Sequence, residues 1–105
     1  MVRGIFTTAY AFPARAVSLA ALQEIYVDAY GAEPFIRLVE TPRVAVVRHS
    51  NFCDLAVATE PDGPIVVMSA IDNLVKGGAG QGLQNLNVAF GLPETTGLTF
   101  TGTLP

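Results

Sequence analysis

Glu60-Pro61-Asp62-Gly63 is the stretch that most constrains how this chain can fold. An apolar run precedes it, Cys53-Asp54-Leu55-Ala56-Val57-Ala58-Thr59, and another follows, from Pro64 to Ala70. Proline presets φ at the second turn position, and Asp-Gly tolerates the reversal after it. The two runs are therefore expected to pair as an antiparallel hairpin, with the remaining elements arranged around it.

Residues 4–12 are rich in β-branched and aromatic side chains and read as a strand that Pro13 ends. Ser18 is placed to cap a helix reaching about Tyr30, with Leu19, Leu22, Ile25, Tyr26 and Ala29 as its apolar stripe. Gly31 is its stop signal. Residues 34–40 and 44–48 read as two more strands around a turn at Thr41-Pro42-Arg43. A second helix follows the hairpin, with Leu83, Leu86, Val88, Ala89 and Phe90 clustered on one side. Residues 92–97 read as loop, and Leu98 to Pro105 as a short extended end. The order predicts an α+β fold: a mixed, largely antiparallel sheet of about five strands with two helices on one face. Val44-Ala45-Val46-Val47 and Ile65-Val66-Val67-Met68 are apolar at successive positions, so both faces of their strands are apolar. Two helices do not cover both, which leaves one face for a partner.

Composition supports that reading. Half of the 105 residues are hydrophobic and 14% are charged, against about 25% charged in an average soluble domain. The net charge of −3 and the scattered basic residues 3, 15, 37, 43, 48 and 76 argue against a nucleic-acid partner. No apolar run approaches the length of a membrane span. Cys53 is the single cysteine and cannot form an internal disulfide. Thr7, Thr8 and Tyr10 interrupt any signal-peptide core, so the cytoplasm is the expected compartment.

The chemistry concentrates in residues 72–91. Each glycine inside a helix costs about 1 kcal/mol relative to alanine. Gly77, Gly78, Gly80 and Gly82 therefore imply that something approaches the backbone closely there. The run is neither a Walker A loop nor a dinucleotide fingerprint, because the required spacing is absent. Asp72 or Asn73 is placed to cap the helix that follows. Lys76 is either a solvated first-turn charge or a ligand-facing one. Gln81, Gln84, Asn85 and Asn87 form an amide-rich run, which suggests contact with another polar surface. Arg3, at the mouth of the first strand, is either a solvated end-of-strand charge or an anion-facing one. No metal-ligand pattern is present. Cys53 is a tempting nucleophile and His49 is the only histidine. Four residues of extended chain would separate them by roughly 13 Å, so Cys53 reads as a structural cysteine.

Asp72-Asn73-Leu74-Val75-Lys76-Gly77-Gly78-Ala79-Gly80-Gln81-Gly82-Leu83-Gln84-Asn85-Leu86-Asn87, followed by Phe90-Gly91-Leu92-Pro93-Glu94-Thr95-Thr96-Gly97-Leu98, resembles the C-terminal segment of the N-acetyl-gamma-glutamyl-phosphate reductase family. That family lies in the semialdehyde dehydrogenase superfamily. Met1-Val2-Arg3-Gly4-Ile5 and Ser50-Asn51-Phe52-Cys53-Asp54 fit it too, so the resemblance covers residues 1–98 in three blocks. Gly78 and Gly82 depart from it, standing where alanine is expected. The resemblance implies that residues 1–105 are part of a substrate/dimerisation domain and that 72–91 pack back on a dinucleotide-binding domain. It further implies NADP as cofactor, an acyl phosphate as substrate, a homodimer or homotetramer, and a role in arginine biosynthesis. Asn73 would meet the nicotinamide carboxamide, with Lys76 and Gly77 also toward the cofactor and Arg3 toward the substrate. The nucleophilic cysteine and its histidine base match nothing here, so this piece alone would be inactive. Two alternatives stand beside it: the carrier-protein-linked aminoadipyl phosphate reductase of lysine biosynthesis, and a non-catalytic dimerisation module.

Overall fold

The computed structural model describes residues 2–102. Met1 and residues 103–105 lie outside the described residues, and with them the last part of the extended end expected from Leu98. Residues 98–102 form no strand.

The hairpin forms as expected. Strands β3 (Cys53–Thr59) and β4 (Ile65–Ile71) pair antiparallel, with Thr59 opposite Ile65 and Cys53 opposite Ile71. The turn is closed by the Gly63 amide donating to the Glu60 carbonyl, 3.0 Å. Asp62 takes a left-handed φ of 58°, which a short acidic side chain tolerates better than most. Strand β1 (Ile5–Ala11) adds antiparallel to the other side of β4, and β2 (Ile36–Leu38) adds parallel to β3. The sheet order is β1-β4-β3-β2, so the sheet is mixed and mostly antiparallel.

Helix α1 (Leu19–Tyr30) has Ser18 as its cap: the Ser18 hydroxyl accepts from the Ala21 amide at 3.1 Å. It lies against β2 and β3. Only Leu22 of its apolar stripe is buried; Tyr26 is half-buried and Leu19, Ile25 and Ala29 remain exposed.

Residues 44–48 correct the expected strand, and the sheet has four strands rather than five. Val44–Val47 form a single helical turn, α2, with the Arg48 amide donating to the Val44 carbonyl at 2.9 Å. Two physical facts decide this. A short apolar run carries no periodicity that separates a strand from a buried helix turn. And parallel strands need a crossover of about a dozen residues or more, so residues 39–52 must leave the sheet to bring β3 alongside β2. Within that crossover Val47 becomes fully buried and the Ser50 hydroxyl donates to its carbonyl.

Burial alternates along β3, where Asp54 and Ala56 are buried and their neighbours half-buried. Ala70, which pairs with Asp54, is also buried, so these three share one face. The other face presents Leu55, Val57, Val67 and Ser69, all half-buried. β1 is exposed along its whole length. After β4 comes a wide π-type turn, Val75–Ala79, and then α3 (Gly80–Ala89). No helix of the described residues is long and apolar enough to cross a membrane.

Candidate functional site

Three segments converge where β4 ends. They are residues 3–4 before β1, residues 48–51 after α2, and residues 72–76 entering the π-type turn. Asp72 is their junction. It is fully buried, and its Oδ2 accepts from Arg3 Nε at 2.8 Å and from the His49 amide at 2.7 Å. Its Oδ1 accepts from the amides of Leu74 and Val75 at 2.8 and 3.0 Å, and from Arg3 Nη2 at 3.3 Å. Burial alone would raise its pKa, but the Arg3 guanidinium and the three backbone amides outweigh it and hold the carboxyl well below the usual range. Asp72 is thus the group that caps the turn.

Asn73 is left to do something else. It is half-buried, and its Oδ1 accepts from the Gly4 amide at 2.7 Å. Gly4 has φ +108°, and a Cβ there would collide with Val44 Cγ1. The turn after it is held by bonds spanning five residues, Gly77 amide to Asp72 carbonyl and Ala79 amide to Leu74 carbonyl, both 2.9 Å. Gly78 leaves helical geometry altogether (φ −148°, ψ −113°). π-type segments of this kind concentrate at functional sites.

Most of the glycines answer to the chain's own packing. A Cβ at Gly80 would strike the Asn51 side chain and sit 2.6 Å from the Val75 carbonyl oxygen. At Gly77 it would lie 3.2 Å from Ile71 Cδ1, and at Gly78 3.2 Å from the Asn73 carbonyl oxygen. Gly82 meets nothing within 4 Å.

Lys76 is not a solvated charge. It is half-buried, its Nζ donates to Gln84 Oε1 at 2.6 Å, and it lies 5.7 Å from the centre of the Phe35 ring. Burial lowers its pKa, with Cys53 and Glu94 opposing. Gln84 also accepts from Asn51 Nδ2 at 3.0 Å and donates to Glu94 at 2.6 Å. Asn87, 1% exposed, donates to the carbonyls of Glu94 and Thr96. Two of the four amides in the run therefore face inward and hold residues 92–98 against α3. Gln81 and Asn85 pair with each other on the exposed side, 2.9 Å. Sequence reasoning missed this inward role, because i, i+3 spacing of amides does not say which side packs.

Arg37 was missed as well. The parallel β2–β3 register sets it beside buried Asp54, 2.6 Å away, with its guanidinium 4.3 Å from the centre of the Phe52 ring. No local signal marks a pair created by strand register. Cys53 begins β3, and burial chiefly raises its pKa, with Lys76 opposing and Asp54 adding to the rise. A thiol so placed is a poor nucleophile.

Residues 1–73 match the family described as semialdehyde dehydrogenase, dimerisation domain. Over 109 aligned residues and all of this chain, the sequence is 50% identical to N-acetyl-gamma-glutamyl-phosphate reductase of Desulforudis audaxviator. It is 49% identical to the protein of that name from Geotalea daltonii and 48% identical to the one from Methanopyrus kandleri, again over the whole chain. The chain spans 32% of the length of each of these relatives. It belongs to the semialdehyde dehydrogenase dimerisation-domain family.

Proposed function

We propose that this chain serves as the dimerisation-domain portion of an NADP-dependent N-acetyl-gamma-glutamyl-phosphate reductase in the cytoplasm. The observation that carries the proposal is identity of 48–50% along the entire chain to three proteins of that printed name. The reaction would be reductive dephosphorylation of an acyl phosphate to a semialdehyde, in arginine biosynthesis. The nucleophilic cysteine and the histidine base are assigned to the rest of the parent protein. Residues 72–91 are proposed to pack on its dinucleotide-binding domain, and the parent to assemble as a homo-oligomer.

The residues present suit a nicotinamide carboxamide. The Asn73 oxygen is engaged by Gly4, and among the described residues its Nδ2 makes no hydrogen bond, which leaves a donor for a carbonyl oxygen. Gly77 and Gly78 are exposed beside it, so the backbone there is approachable. When bound, NADPH would supply the hydride. The chain's own part is to orient the carboxamide through Asn73 and to hold the Gly77 backbone open on its π-type turn. Lys76 would add positive charge at the base of the turn. Arg3 would present to the substrate phosphate the donors it does not spend on Asp72.

The test is steady-state kinetics on the full-length protein that carries this chain, with N-acetylglutamyl 5-phosphate and NADPH. NADPH consumption is expected, and Asn73→Ala should raise the KM for NADPH or lower kcat by about tenfold, as loss of one such hydrogen bond does. No turnover, or turnover only of a carrier-linked aminoadipyl phosphate, would overturn the proposal.

A further inference from the structure

Arg3-Gly4 and Asp72-Asn73 meet as two consecutive rungs. The Arg3 side chain grips the Asp72 carboxylate, and the next residue's amide grips the Asn73 side chain. We propose that Asp72 is a positioning residue: its clamp fixes Asn73 as a hydrogen-bond donor toward the cofactor, so that the site reads an acceptor and refuses a donor. This deepens the reductase reading and rests on it.

The orientation follows from elementary chemistry. Of the two ends of the Asn73 carboxamide only the oxygen can accept a hydrogen bond, so the Gly4 amide decides which end faces inward. The bond holds only while residues 3–4 and 72–73 keep their register, and Asp72 sets that register. Five N–H groups from three separated segments converge on its two oxygens. Its carbonyl is also committed, to the Gly77 amide at 2.9 Å. With side chain and carbonyl both held, and no solvent access to the side chain, the residue that follows has little freedom of direction. Val44 leaves no room for a Cβ at Gly4, and its φ of +108° suits glycine, so the residue that supplies the donor cannot readily be replaced. A cap alone needs only the Leu74 and Val75 contacts; the Arg3 and His49 contacts tie the cap to the rest of the site.

The experiment uses the full-length protein, with the KM for NADPH and for the acyl phosphate measured separately and Tm recorded for each variant. Asp72→Asn keeps the volume and halves the number of carboxylate-type acceptors. It is expected to raise the NADPH KM by about tenfold, while the acyl phosphate KM stays within about twofold, a split that loss of stability alone would not produce. Asn73→Asp can still accept from Gly4 but turns an acceptor outward. It should raise the NADPH KM at least as much with Tm retained. If Asp72→Asn does not fold, Arg3→Lys decides, since it keeps the charge and loses the two-pronged grip. A raised NADPH KM supports the clamp, and any phosphate role of Arg3 shows on the other axis. An unmoved NADPH KM in the folded clamp variant, or in Asn73→Asp, overturns the positioning role while leaving the reductase reading intact. An inactive wild-type protein overturns both.

Discussion

Single residues at the junction carry most of the consequences that can be measured. Asp72 has a carboxyl pKa depressed in the folded state, chiefly by Arg3 once the opposing effect of burial is overcome. Its contribution to stability is therefore present above the unfolded carboxylate pKa of about 3.9 and is lost as pH falls below it. The Tm advantage of wild type over Asp72→Asn should be full at pH 6 and shrink toward pH 3; an advantage independent of pH would contradict the ion pair. Gly80 and Gly82 make a matched pair. Gly80→Ala pushes a Cβ into Asn51 and the Val75 carbonyl and should destabilise the protein. Gly82→Ala meets open space in a helix and should stabilise by about 0.5–1 kcal/mol. Urea titration of both variants checks the sign. Cys53→Ser in the full-length protein should keep most activity, because the half-buried thiol has its pKa raised; a loss beyond about a thousandfold, as for a removed nucleophile, would contradict that. That Asp72 caps the segment after it was legible in the sequence, because a short acidic side chain at that point is a poor choice for packing alone. That the glycines make room mainly for Asn51, Ile71 and Asn73 was not, since those neighbours come from remote or non-helical positions.

At the scale of elements, the hairpin, β1 and α1 follow from local chemistry. Pro61-Asp62-Gly63 sets the reversal, and Ser18 accepts from Ala21 where a cap should. Residues 44–48 were misread because their composition suits a strand and their helical turn is imposed by the crossover. The four-strand sheet follows from the same fact. Helix α3 supports a different test. Its Asn87 holds the carbonyls of Glu94 and Thr96, so Asn87→Ala leaves two acceptors unpaired and should cost about 1–3 kcal/mol. Hydrogen exchange should quicken over residues 92–98 in that variant; unchanged exchange would show that Leu98 packing alone retains the segment.

Viewed whole, the molecule leaves much apolar surface open. β1 is exposed throughout, Leu55, Val57 and Val67 are only half-buried, and Phe90 is 73% exposed at the end of α3. Such surface is more than a lone soluble domain usually presents, and a dimerisation-domain family accounts for it. The apolar composition and the two-sided strand at Ile65-Val66-Val67-Met68 already announced this in the sequence. The most direct test is sedimentation equilibrium of the 11.1 kDa chain by itself, alongside Tyr10→Arg on the exposed strand β1. Self-association well above 11.1 kDa, reduced by the charge at Tyr10, is the expected result. A stable, monodisperse monomer with its apolar faces in water would contradict the claim that this is an assembly domain.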